Sequence, residues 1–207
     1  MTDPRDLALQ AAVPTVMVPK FGSLELLARP GQRYLVAADG LWLEARRPGV
    51  YARMRLAAQN AVAIPYGEVT EAFELACGAI PDEFVADFVE HARKHLPNEV
   101  ARALVWNEHE ETLRSVDLVA YSQSTAHIHY QYPSLNAGEH VVADIHSHGH
   151  FDAFFSATDD ADDKGVQISI VVGNLGRRVP SICARAVACG AFQMLNTDDL
   201  SIRLGLQ

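Results

Sequence analysis

The chain is organised around His146-Ser147-His148-Gly149-His150-Phe151-Asp152-Ala153-Phe154-Phe155-Ser156-Ala157-Thr158-Asp159. Two histidines stand either side of one residue, Ser156 follows seven residues further on, and Asp159 closes the pattern after two more. The run before it, His140 to Ile145, reads as a strand, and Ser156 opens a helix. Residues two apart on a strand point to the same face, so His146 and His148 reach one ion. Asp159 approaches it from the first helical turn. Two imidazoles and a carboxylate form an N/N/O ligand set with one position left open, where a catalytic zinc site holds its water.

The rest of the chain has room for that site. Its 207 residues allow one full domain with a small appendage, and 49% hydrophobic against 21% charged residues allow a sizeable buried core. A net charge of -9 argues against a nucleic-acid role, which normally shows as a basic patch. Cys77, Cys183 and Cys189 have no CxxC spacing and do not form a disulfide framework. Residues 1–10 lack an apolar signal core, and no run approaches the length of a membrane span. The expected location is the cytoplasm.

Residues 1–80 read as a small β-rich unit of unknown role. Arg33 to Ala38 and Leu41 to Arg46 are strands, with Asp39-Gly40 as a two-residue hairpin turn between them. Val50 to Leu56 is a third strand, and Glu68 to Cys77 fits a helical turn or two. Residues 81–207 form the main domain. Pro81-Asp82-Glu83 opens a helix whose apolar face is Phe84, Val85, Phe88, Val89, Ala92 and Leu96, with Pro97 as its stop. Strands are expected at Val100 to Trp106, Thr112 to Ser122, His127 to Tyr132, Val141 to His146 and Gln167 to Gly173. Ser181 to Cys189 and Ala191 to Leu195 pair around Gly190, and Asp199 to Leu204 is a last strand. A short acidic helix covers Ser156 to Gly165. The sum is an α/β domain: a mixed sheet flanked by helices.

Hydrolysis at such a metal site also needs a general acid/base and a donor for a developing oxyanion. Ser156 shares a helix face with Asp159 and supplies the donor. The acid/base must come from an upstream glutamate. Several neighbours compete for roles. His150 continues the alternation but reads as a solvated loop residue, and the spacing selects Asp159 over Asp160. Asp162 and Asp163 read as a solvated acidic face. Asp144 shares a face with His146, and both holding an imidazole and a purely structural role fit it. His127 and His129 are another same-face pair with no further ligands nearby.

The pattern His-Ser-His, seven residues, Ser, two residues, Asp resembles that of the JAMM (MPN-type) zinc metalloproteases. In that family the glutamate sits in a Pro-x-Glu-Val setting between the first helix and the first strand. Pro97-Asn98-Glu99-Val100 matches it, ahead of the apolar Ala101 to Trp106 run. The resemblance covers roughly residues 81–195 and implies a cytidine-deaminase-like JAMM/MPN fold. It implies Zn²⁺ held by His146, His148 and Asp159, with Glu99 as acid/base and Ser156 as oxyanion donor. The implied reaction is hydrolysis of a peptide or isopeptide bond after the C-terminal tail of a ubiquitin-like protein. The groove walls would be Ser122 to His140 and Gly149 to Phe155. The sequence departs from the family at Gly149, where proline is common, and at Ala101 and Arg102. The N-terminal unit and the His-Ser-His-Gly variant also resemble a bacterial subset, the PRTRC system protein A group, which implies a ThiF-type activating enzyme as a partner. Two other classes are a RadC-like DNA-associated protein, disfavoured by the acidic balance, and a non-catalytic MPN scaffold, disfavoured by the complete ligand set.

Overall fold

The computed structural model describes residues 3–59, 61–62, 64–123, 128–132 and 134–196, with backbone alone for Ser122, Gln123 and His129. The expected strand at Asp199 to Leu204 lies outside the described residues. The chain divides into two compact units between Glu74 and Leu75.

The first unit opens with a helix the sequence analysis did not anticipate, α1 (Pro4–Ala12), capped by Asp3, whose side chain accepts from the Arg5 amide. Strands β1 (Thr15–Met17), β2 (Gly31–Ala37), β3 (Gly40–Arg47), β4 (Val50–Ala58) and β5 (Ala72–Leu75) form a sheet in that order. β1 runs parallel to β2, while β2, β3 and β4 are antiparallel. The β2–β3 turn is Ala38-Asp39 rather than Asp39-Gly40, because Gly40 already pairs with Ala37. Glycine is needed there for proximity as well as for its φ of 140°: a Cβ would lie 2.0 Å from the Ala57 carbonyl oxygen. Within Glu68 to Cys77, which is ambiguous in sequence and fits a helical turn or two, the chain forms β5, where pairing at a sheet edge overrides local propensity. Val18, Leu35, Ala37 and Trp42 form a buried apolar cluster in this unit.

The second unit begins with α2 (Asp82–His95), which buries Val85, Phe88, Val89 and Ala92. A six-stranded sheet follows from β6 (Ala101–Asn107), β7 (Thr112–Asp117), β10 (Glu139–Ser147), β11 (Val166–Gly173), β12 (Ser181–Ala188) and β13 (Ala191–Leu195). Between them come the ribbon β8 (Val119–Gln123) and β9 (Ile128–Gln131), and the short helix α3 (Ala157–Asp162). The sheet order is β13-β12-β11-β10-β6-β7, with β10 and β11 parallel and the other pairs antiparallel. This is the mixed α/β architecture expected from the sequence.

One expected strand, Thr112 to Ser122, is two. The chain turns out of the sheet at buried Leu118, whose amide donates to the Ala101 carbonyl, and β8 then pairs with β9 alone. Alternation sorts the two faces of the sheet. Ala101, Ala103 and Val105 cluster with Leu118 and Ile128 on one face. Arg102, between them, points to the other face, where its guanidinium bonds Asp87 of α2 and Asp117 of β7. The departure at Arg102 is therefore a clamp that ties α2 to the sheet.

Candidate metal centre

β11 is buried along its whole length and β10 from Val142 onward, as parallel pairing in the middle of a sheet favours. β10 delivers His146 at its end, and the next residues continue the pairing: the His148 amide donates to the Val172 carbonyl at 2.8 Å. The two imidazoles are 6% and 7% exposed, with their Nε2 atoms 3.3 Å apart. The edge of Phe154 closes on His148, ring centroids 4.6 Å apart.

Asp159 arrives from α3. Ser156 is the N-cap of that helix and forms a capping box with Asp159: the Ser156 hydroxyl accepts from the Asp159 amide at 3.3 Å, and Asp159 Oδ2 accepts from the Ser156 amide at 2.6 Å. One carboxylate oxygen is thus held by the helix start. The other, Oδ1, lies 3.3 Å from His146 Nε2. One potential ligand atom from each of His146, His148 and Asp159 lies within 4.8 Å of the other two. Burial holds both imidazoles below the usual histidine pKa, against the pull of the Asp159 charge. Neutral imidazole is the form that ligates. Three lone-pair atoms converging in a buried place fit a shared cation, so the residues present can hold a metal ion.

Glu99 sits just before β6 and is 4% exposed. It lines a cleft of about 270 Å³ together with His146, His148, Ser156 and Asp159. Among the described residues no group donates a hydrogen bond to its carboxyl. Burial, and secondarily the Asp159 charge, push its pKa up to about 7. Ser147, between the two histidines, fixes the approach of Glu99. Its hydroxyl accepts from the Val100 amide at 3.0 Å, and its own amide donates to the Val100 carbonyl at 3.0 Å. The sequence assigns Ser147 no role, and the strand pairing alone reveals one.

The other candidates separate cleanly. His150 is exposed and stands over Gly176, away from the ligand cluster. Asp162 is exposed and lines the cleft, but Asp163 is not the solvated residue expected: it is 8% exposed and bonded to Arg185. Asp144 is fully buried and turns from the imidazoles to the Tyr132 hydroxyl, 2.8 Å away, and to the Gln167 amide. Burial, and then the Asp163 charge, push it up to about 7. His127 lies outside the described residues, and of His129 only the backbone is described. From the expected groove walls, Ile128, Tyr130, Phe151 and Phe154 line the cleft. Phe155 turns instead to Arg185.

Gly149 has a φ of 55°, and its carbonyl accepts from the Leu175 amide at 2.9 Å. Proline, fixed near -65°, cannot adopt that conformation. Glycine here follows from a loop that turns through the left-handed region.

Comparison with known proteins gives the family of the chain. A family model described as prokaryotic homologs of the JAB domain matches residues 81–188, just over half of the chain. The chain belongs to that family, the JAB/MPN class. A second model, a domain of unknown function (DUF2016), matches residues 3–76. No curated protein matches the chain. Among solved structures, it is similar to the solution structure of protein DSY2949 from Desulfitobacterium hafniense at 17% identity. That similarity covers 57% of this chain and 89% of that one, with a TM-score of 0.44.

Proposed function

We propose that this protein is a zinc-dependent peptidase or isopeptidase that hydrolyses the amide bond after the C-terminal tail of a ubiquitin-like protein. One observation carries the proposal: three convergent ligand atoms share a single cleft with a buried glutamate to which no described residue donates a hydrogen bond. His146, His148 and Asp159 would hold the ion. When bound, zinc supplies Lewis acidity that lowers the pKa of a water and polarises a carbonyl. Glu99 takes a proton at its carboxylate and returns it to the departing amine; burial tunes it for that exchange near neutral pH. The Ser156 hydroxyl oxygen accepts in the capping box, which leaves its proton to be donated to the substrate's oxyanion. Ile128, Phe151 and Phe154 give the cleft an apolar rim for an extended tail.

The resemblance to the PRTRC system protein A group extends the proposal to a ThiF-type activating enzyme as a partner. The free thiols of Cys77 and Cys183 suit a reducing cytoplasm. No helix among the described residues is long and apolar enough to cross a membrane.

The test is incubation of the zinc-loaded protein with a panel of ubiquitin-like fusions beside Glu99→Gln. Cleavage by the parent and its loss in the variant support the proposal. Absence of cleavage across the panel, or equal rates in parent and variant, would contradict it.

A further inference from the structure

The helix that carries the carboxylate ligand has little to hold it in place. None of the six residues of α3 is buried. Asp159, Asp160, Asp162 and Asp163 crowd its length and C-cap, so like charges oppose it. A helix this short does not sustain itself. At its start the Ser156–Asp159 capping box is purely local and fixes nothing to the sheet.

Arg185 of β12 makes that connection. Its Nη1 donates to Asp160 Oδ1 at 2.5 Å, and its Nη2 and Nε donate to Asp163 Oδ2 at 2.7 and 2.9 Å. Asp163 Oδ1 accepts from the Ser169 hydroxyl at 2.9 Å, and Ser169 is the residue paired with Arg185 in the sheet. The guanidinium also lies between the rings of Phe155 and Phe192, 3.9 Å from each centroid. Arg185 is 3% exposed. Phe155 precedes Ser156 directly, so one guanidinium grips the chain before Asp159 through Phe155 and after it through Asp160 and Asp163.

We propose that Arg185 is a positioning residue for the metal centre: it holds α3 on the sheet and thereby fixes Asp159 opposite His146 and His148. The inference rests on the metal site proposed above. Lysine cannot replace arginine in this role, because it has no planar fork to span two carboxylates or to lie flat between two rings.

The sign of one measurement separates positioning from charge. Arg185 also brings a positive charge to the helix that carries Asp159, through its bonds to Asp160 and Asp163. If charge were its whole effect, removing it would tighten cation binding, and replacing it by lysine would change nothing. Positioning predicts the reverse.

The experiment is zinc affinity by chelator competition on the full chain, alongside circular dichroism to report the folded fraction. Arg185→Lys and Arg185→Met are each expected to weaken zinc binding by about tenfold or more, the usual scale for residues that orient metal ligands. Arg102→Met opens a clamp of the same kind, one arginine to two aspartates, on the opposite face of the sheet. It should leave affinity within about twofold, since its partners, Asp87 on α2 and Asp117 on β7, hold no proposed ligand. Phe155→Leu alters no charge and removes half of the aromatic sandwich, for an expected loss of about threefold. It decides the matter if the arginine variants fail to fold.

Unchanged affinity in Arg185→Lys, tighter binding in Arg185→Met, or unchanged affinity in Phe155→Leu would overturn the positioning role and leave the metal centre standing. A parent chain that binds no zinc would overturn both.

Discussion

Two glutamates, one in each unit, are buried almost completely and treated in opposite ways. Glu44, on β3 of the first unit, is 0% exposed and fully engaged. Its Oε1 accepts from the Leu27 amide at 2.9 Å and the Tyr51 hydroxyl at 2.8 Å, and its Oε2 accepts from Arg33 Nε at 2.5 Å. Burial, and then this carboxylate, push the Tyr51 hydroxyl up to about 12, so it stays a donor. Glu99 in the second unit is 4% exposed, faces a cleft, and receives no hydrogen bond from the described residues. A buried carboxylate whose oxygens are all bonded by protein locks a loop to a sheet. A buried carboxylate left without donors is kept available for a proton.

The same isosteric substitution at both places tests that contrast. Glu99→Gln is expected to lower the hydrolysis rate by about 10²- to 10⁴-fold, the contribution of a positioned acid/base, with zinc content unchanged. Glu44→Gln is expected to leave Arg33 without its buried counter-charge and to destabilise the first unit by about 3 kcal/mol. Hydrogen exchange in β2, β3 and β4 reads that loss. Zinc affinity should not move. If Glu44→Gln left exchange unaltered, the structural half of the comparison would fail.

A smaller effect is expected at Gly149. Gly149→Ala should cost about 1 kcal/mol, the strain of a side chain in the left-handed region, seen as a lower unfolding midpoint. Gly149→Pro should cost more and release the Leu175 contact. A fully stable Gly149→Pro would show that the loop tolerates the family's usual residue.

A further effect is in pH. In the metal-free protein the folded-state pKa of Glu99 is raised to about 7 from an ordinary value of 4.5. The folded state therefore holds the proton more tightly, and this group's contribution to stability is lost as pH rises between those values. Metal-free Glu99→Gln should match the parent near pH 4 and exceed it at pH 8 in thermal melts. A constant gap across that range would show that Glu99 is not desolvated.

The sequence revealed the site better than it revealed what supports the site. His146, His148 and Asp159 could be read because strand and helix periodicities place residues two apart and a first-turn residue in known directions. Glu99 could be read because it sits at a helix-to-strand boundary in a characteristic setting. Arg185 could not: it lies on a different strand from α3, and nothing in Ala184-Arg185-Ala186 signals a clamp. Asp163 looked solvated because helical spacing alone does not show which acidic residue meets an arginine from the sheet. β5 is ambiguous in sequence for a similar reason, as its pairing partner β4 is distant along the chain. The break between β7 and β8 depends on Leu118 turning inward, which a continuous β-prone run conceals.

The central claim is that the convergent, donor-poor cluster in the second unit is a metal site. Calorimetric titration of the metal-stripped protein with zinc tests it most directly. One ion per chain is expected for the parent and for Glu99→Gln, with binding lost in His146→Ala and in Asp159→Ala. A parent that takes up no zinc, or a His146→Ala variant that binds it as tightly, would contradict the account.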